Sequence, residues 1–103
     1  MSQGIALCGR IKLSNSSYIY LGMSIENVKE KCGEPLEKYY TISRLDGKKI
    51  PGYETWIYCS FFGDNPVVVV FESFVVKKLW VEKNYVCDDK NFYKNINKIL
   101  SSH

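Results

Sequence analysis

The four cysteines are the residues of this chain with the widest range of possible chemistry. They are even in number and widely, almost evenly separated: Cys8, Cys32, Cys59 and Cys87. No CxxC or CxH pair is present, which argues against a zinc site or a thioredoxin-like dithiol, because both need closely spaced residues. Two interpretations remain, namely disulfides in a small exported domain or reduced core thiols in the cytosol. We favour the disulfides, and with them a periplasmic or secreted protein.

Export requires a leader, and the printed sequence does not contain one. The apolar residues around Ala6 are too few for a signal-peptide core and follow no basic segment. We therefore expect the chain to be a mature or trimmed form. No apolar run approaches the roughly 18 residues of a membrane span.

The remaining residues that could do acid–base chemistry do not form a catalytic pattern. His103 is the single histidine and ends the printed chain, which disfavours an ordered Cys-His or Ser-His pair. Asp88 and Asp89 are explained as the cap and first-turn anion of a helix. Glu54 shares a strand face with Trp56, where a half-exposed structural carboxylate is expected. With no glycine-rich phosphate loop either, we predict no enzyme, no metal and no cofactor.

Aromatic residues suggest binding instead. The chain has more of them than a core of this size needs, and we predict a binding face on the sheet opposite the helices, formed by Tyr39, Trp56, Tyr58, Phe62 and Trp80. A tyrosine-rich core and rim is the alternative. The pairs Lys48-Lys49 and Lys77-Lys78 could contact anionic lipid. The net charge of +3 is spread among acidic residues, so we predict no nucleic-acid partner.

A short, strongly delimited helix is predicted to follow Ser24. Ser24 is a good N-cap, and Met23 with Val28 suits a hydrophobic staple. Gly33 can end the helix in a left-handed conformation, and Pro35 disfavours helical geometry at the residue before it. Such a helix is shorter than the roughly 12–15 residues that are marginal alone in water, so it must pack on a larger surface.

Strand patterns occupy most of the remaining chain. Residues 10–13 and 18–21 either pair as a hairpin or lead into the helix, and a strand over 38–45 ends at the turn Asp46-Gly47. Residues 53–62 alternate as the strongest strand, residues 67–71 suit a central strand buried on both faces, and a hairpin through Ser73-Phe74 leads to a strand over 75–82. Pro51 predicts an edge or an interruption.

A second helix is predicted after Asp88 and Asp89. Its apolar stripe has helical spacing: Phe92, Ile96, Ile99 and Leu100. We thus predict one α+β domain over residues 1–103, with loose tails at 1–9 and 101–103. In it the short helix and the C-terminal helix pack against an antiparallel sheet of about three to four strands.

The order of these motifs resembles the SmpA/OmlA/BamE superfamily of small bacterial envelope domains, and more closely a related uncharacterised group with a Cys-Gly-x-Pro helix ending. The matching residues are Gly22-Met23, Val28, Cys32-Gly33-Glu34-Pro35, Glu54-Thr55-Trp56-Ile57-Tyr58, Val69-Val70-Phe71-Glu72 and Val75-Val76. The resemblance implies a BamE-like α+β domain of the periplasm or envelope, with its helix on one face of the sheet. It also implies a bridge from Cys8 to Cys32, which leaves Cys59 with Cys87.

BamE-like proteins are non-enzymatic subunits of outer-membrane assembly that bind proteins and lipid. We accordingly predict a disulfide-stabilised protein-interaction domain whose partner is an unknown envelope or secreted protein. One alternative is an inhibitor of a secreted enzyme, a hypothesis that an ordered wedge formed by residues 44–52 would favour. Another is a small thiol or redox protein, which would need an exposed, activated thiolate.

Overall fold

Two antiparallel sheets and three short helices make up the computed structural model, which describes residues 9–103. In chain order the elements are β1 (Arg10–Lys12), β2 (Tyr18–Tyr20), α1 (Ile25–Cys32), β3 (Glu37–Ile42), β4 (Lys49–Cys59), β5 (Pro66–Glu72), β6 (Val75–Val81), α2 (Lys90–Lys94) and α3 (Ile96–Ser101). Strands β3 to β6 form the main sheet in sequence order, and β1 pairs with β2. The predicted α+β class is confirmed.

Helix α1 begins and ends where its capping residues predict. The Ser24 hydroxyl accepts a 3.1 Å hydrogen bond from the Asn27 backbone N–H, and Gly33 follows the helix at φ +76°. Val28 and Cys32 are buried and pack on the main sheet with Met23. We call this side of the sheet the α1 face. Its core also contains Trp56 and Phe71, whose rings meet edge to face at 4.7 Å.

The N-terminal strands form a hairpin, which resolves the two alternatives that the sequence left open. Arg10 pairs with Tyr20 and Lys12 with Tyr18, and the turn between the strands contains Ser16 at φ +72°. Leu13 bridges to Ser60 and so attaches the hairpin to the main sheet. Since side chains alternate along a strand, the inner side chain Ile19 is fully buried while its neighbours Tyr18 and Tyr20 point outward.

The main sheet contains two local irregularities. The β3–β4 register shifts between Tyr40 and Ile42, opposite the part of β4 that holds Pro51 and Gly52, as the proline predicted. The β5–β6 turn has positive φ at both Ser73 and Phe74, the geometry of a type I′ hairpin without its usual glycine. Strand β5 is buried on both faces, which confirms it as a central strand.

The C-terminal segment is helical, as predicted, but it forms two short helices in place of a single one. Asp89 caps α2, but the helix ends at Asn95, whose side chain donates to the Asn91 carbonyl oxygen, and α3 starts anew. The predicted apolar stripe nevertheless packs on the main sheet, where Phe92 and Ile96 cover Ile57 and Val68. This side is the α2 face. Helices therefore cover both faces, which corrects the expectation that one face of the sheet is left open.

Candidate binding surface

Trp56 and Tyr58 belong to the core of the α1 face. They are only 3% and 5% exposed. The Trp56 indole N–H donates to a Glu54 carboxylate oxygen at 2.8 Å, which gives Glu54 a structural partner. The Tyr58 hydroxyl donates to the Gly33 carbonyl oxygen at 2.6 Å. Both side chains hold the fold together and offer little area to a partner.

Tyr39 and Trp80 lie on the opposite, α2 face. Both are half-buried against the C-terminal helices. The Trp80 ring stacks on His103 at 4.0 Å between centroids, and its N–H donates to Glu82 at 3.1 Å. Burial raises the pKa of Tyr39, with the Glu37 and Tyr93 side chains adding to the effect. The five aromatic residues singled out in the sequence therefore do not share one surface, and only Phe62 is largely exposed, at 74%.

Phe62 belongs instead to an exposed cluster of aromatic and cationic side chains on the outer side of the β1–β2 hairpin. We call it the hairpin patch, and it consists of Arg10, Lys12, Tyr18, Tyr20, Phe61 and Phe62. The Arg10 guanidinium lies 4.5 Å from the Tyr18 ring centroid, and the Lys12 ammonium lies 4.1 Å from that of Phe61. The two phenylalanine rings meet edge to face at 4.8 Å. Cation–aromatic contacts thus hold the patch in a defined arrangement.

The β1–β2 hairpin contains no acidic residue. No Asp or Glu precedes Glu26, so Arg10 and Lys12 have no acidic neighbour along the hairpin. Phe61 is tied to the hairpin because its backbone N–H donates to the Lys12 carbonyl oxygen at 2.9 Å. The patch is therefore positively charged as well as apolar, and its complement would be an acidic surface with apolar groups.

A groove lies next to the hairpin patch, between the hairpin and β6. One part, of about 310 Å³, is lined by Arg10, Ile11, Leu21, Leu79, Trp80, Val81 and Lys83. A second part, of about 370 Å³, shares Ile11, Val81 and Lys83 and extends to Phe62. Because the two parts have these residues in common, they form one trough that runs from the edge of the sheet to the patch.

Cys59 and Cys87 form a disulfide, so the expected disulfide chemistry is confirmed for this pair. Cys59 ends β4, and Cys87 lies in the loop before α2. Cys32 is buried with a free thiol that donates to the Tyr18 carbonyl oxygen, and burial raises its pKa. Cys8, its predicted partner, lies outside the described residues. A disulfide indicates a non-reducing compartment.

The other predicted chemical groups have local structural explanations. Asp89 accepts from the Asn91 backbone N–H at 2.8 Å, as expected of an N-cap. Lys49 lies over the Tyr40 ring at 3.7 Å, and Lys78 donates to the His103 carbonyl oxygen, so the two lysine pairs are on different parts of the surface. Within residues 9–103, no three His, Cys, Asp or Glu side chains come close enough to hold a metal ion.

The sequence did not reveal the hairpin half of this surface. Its signal was present in the matched alternation of Arg10 and Lys12 with Tyr18 and Tyr20 on two strands that share a turn. Recognising it required knowing that the hairpin forms and that its inner face, with Ile19, is buried.

None of the helices described between residues 9 and 103 is long and apolar enough to cross a bilayer. Comparison of the chain with protein-family models, with curated proteins and with solved structures found no match.

Proposed function

We propose that this chain is a non-enzymatic, disulfide-stabilised binding domain of the periplasm or of the secreted fraction, and that the hairpin patch is its contact surface for an acidic partner protein. The observation that carries the proposal is the exposure of Phe61 and Phe62 beside Arg10 and Lys12. Phe61 is 43% exposed and Phe62 74%, and neither ring belongs to the core on either face of the main sheet. In an interface, aromatic and arginine side chains provide much of the binding energy.

A protein partner is favoured over a lipid surface by the shape next to the patch. The trough between the hairpin and β6 has an apolar floor and cationic side chains in its lining, which suits the side chains of one chain segment. An anionic membrane would engage the exposed rings and cations but leave the trough empty. A role in envelope or outer-membrane assembly is the form of this proposal that the family resemblance suggests.

No specific observation favours either alternative function, the inhibitor of a secreted enzyme or the thiol or redox protein. Residues 44–52 do not form a wedge, since the turn is confined between Ser43 and Lys48, and the rest of the segment belongs to β4. The Cys32 thiol is buried and its pKa is raised, the reverse of what an activated thiolate requires.

The test is site-specific photocrosslinking in cells that naturally produce the protein, with a benzophenone amino acid in place of Phe62. Leu45 provides the matched control, because it is also an apolar residue on an exposed turn, at 98% exposure. We expect a discrete protein adduct from position 62 that is absent from position 45 and is lost in the Arg10→Glu/Lys12→Glu variant. Equal adducts from both positions, or adducts to lipid alone, would contradict the proposal.

A further inference from the structure

Strand β6 is an edge of the main sheet, and its backbone hydrogen-bonding groups can be assigned to the two sides of the strand. The Glu82 N–H donates to the Pro66 carbonyl oxygen, and the register pairs Trp80 with Val68 and Leu79 with Val69. Because hydrogen-bonded and non-bonded pairs alternate in an antiparallel ladder, Trp80 exchanges bonds with β5 while Leu79 and Val81 do not. The N–H and C=O groups of Leu79 and Val81 therefore point outward.

The first part of this outer edge already pairs with another piece of chain. The Val76 N–H donates to the Met23 carbonyl oxygen, and the Gly22 N–H donates to the Val76 carbonyl oxygen, both at 2.9 Å. Towards Leu79 this short pairing ends at Gly22, because the residues before it form β2 and pair with β1. Among residues 9–103, no backbone group continues it along Leu79 and Val81. The outer edge of β6 thus accepts strand pairing, and residues 9–103 use only part of it.

The trough described above lies against the part of that edge that the described residues leave unpaired. Ile11, Leu79 and Val81 form an apolar, half-buried floor, and the exposed Arg10 and Lys83 also line the trough. No carboxylate lines either part of the trough. Glu82, the acidic residue that follows the strand, points to the other face and accepts a hydrogen bond from Trp80.

We infer that the trough binds an extended acidic segment of a partner protein, which adds to the main sheet as a strand along Leu79 and Val81. This inference rests on the proposed function and specifies its binding mode. Backbone pairing would provide affinity, and alternate side chains would reach the apolar floor and the cations that line the trough. The acidic character follows from Arg10, Lys83 and the edge residues Lys77 and Lys78. The same two lysines disfavour a second copy of this chain, because pairing two β6 edges would bring like charges together.

The binding test uses a fluorescein-labelled peptide of alternating glutamate and valine, measured by fluorescence anisotropy with the full chain. A peptide of alternating lysine and valine, and an acidic peptide with N-methylated backbone amides, are the controls. We expect only the unmodified acidic peptide to bind, and the Arg10→Glu/Lys83→Glu variant to weaken it by at least about tenfold. The Lys94→Glu/Lys98→Glu variant changes the net charge equally on exposed sites of the C-terminal helices and should bind normally.

Amide hydrogen exchange then locates the peptide. We expect it to protect the Leu79 and Val81 amides and to leave Trp80, which already bonds to β5, unchanged. Binding without that protection would overturn the inference, as would equal binding of the N-methylated peptide. If removal of residues 1–8 exposes amides that were protected in the free protein, the occupant is the chain's own segment and the inference fails. A retained crosslink from position 62 in any of these cases would leave the proposed function standing.

Discussion

The hydroxyl of Tyr58 donates a 2.6 Å hydrogen bond to the carbonyl oxygen of Gly33, the residue that ends α1. Tyr58 lies on β4 in the middle of the chain, so this bond fixes the C-terminal end of a two-turn helix directly to the main sheet. A helix of eight residues is not stable alone. Its attachment depends on this bond together with the packing of Val28 and Cys32.

Replacing Tyr58 by Phe should lower the free energy of unfolding by about 1 kcal/mol, because the ring stays packed while one hydrogen bond to α1 is lost. Chemical denaturation, followed by far-UV circular dichroism and by tryptophan fluorescence, measures this change in the free energy of unfolding. Tyr40→Phe is the matched control, since Tyr40 is an exposed strand residue whose ring contacts Lys49. Equal stability of the two variants would show that the bond contributes nothing.

Stability should fall steeply in alkaline solution, and Tyr58 should account for part of that fall. Burial raises the Tyr58 pKa above its ordinary value, and the nearby Cys32 and Glu34 side chains raise it further. The unfolded state then releases the phenolic proton first, from about pH 10, so the stabilisation is complete below that pH and is lost as pH rises towards the folded-state pKa. We expect Tyr58→Phe to have a shallower slope of unfolding free energy against pH. Parallel slopes for the two proteins would refute this assignment.

Gly52 should tolerate alanine less well than Gly47 does, although both have positive φ. A Cβ on Gly52 would lie 2.7 Å from the Phe74 ring, whereas a Cβ on Gly47 would meet no atom within 4 Å. Gly47→Ala therefore reports the backbone cost alone, about 1 kcal/mol, and Gly52→Ala should cost at least about 1 kcal/mol more. Thermal unfolding of both variants tests this. The excess should disappear in a Phe74→Ala background, and its persistence there would rule out the ring as its cause.

Reduction of the Cys59–Cys87 disulfide should destabilise the protein by about 3–4 kcal/mol, as expected for a bridge between cysteines 28 residues apart. The C-terminal helices should lose amide protection before α1 does, because the bridge joins their leading loop to the end of β4. Adding reductant to a Cys59→Ala/Cys87→Ala variant should cause no further loss. Peptide mapping of the oxidised protein should recover the Cys59–Cys87 linkage, and its absence would exclude the bridge.

Features determined by neighbouring residues were predictable from the sequence. Ser24 and Gly33 delimit α1 through local hydrogen bonding and backbone conformation, so the helix bounds followed from residue types. Strand alternation likewise placed Glu54 and Trp56 on one side of β4. The break at Asn95 was not predictable, because the apolar stripe on either side of it keeps helical spacing through the interruption.

The binding surface could not be predicted from the sequence, because it depends on tertiary contacts that strand alternation does not indicate. Alternation separates the two sides of a strand but does not say which side another element will cover, so Trp56 was assigned to an open face when it lies under α1. The hairpin patch joins Tyr18 to Phe61 and Phe62 through a bridge between Leu13 and Ser60. Residues that distant in the chain meet only after the tertiary structure forms, and no local pattern indicates their proximity.

The main sheet consists of one uninterrupted stretch of chain, with each strand paired to its neighbours in sequence, whereas its two faces are covered by segments from opposite ends. Such local pairing has a low contact order and favours early formation of the sheet. During synthesis the hairpin and α1 are available before β6 is complete, whereas α2 and α3 emerge after β6. Ile57 and Val68 thus remain exposed to water on the nascent chain until these two helices form, so truncation before α2 favours aggregation.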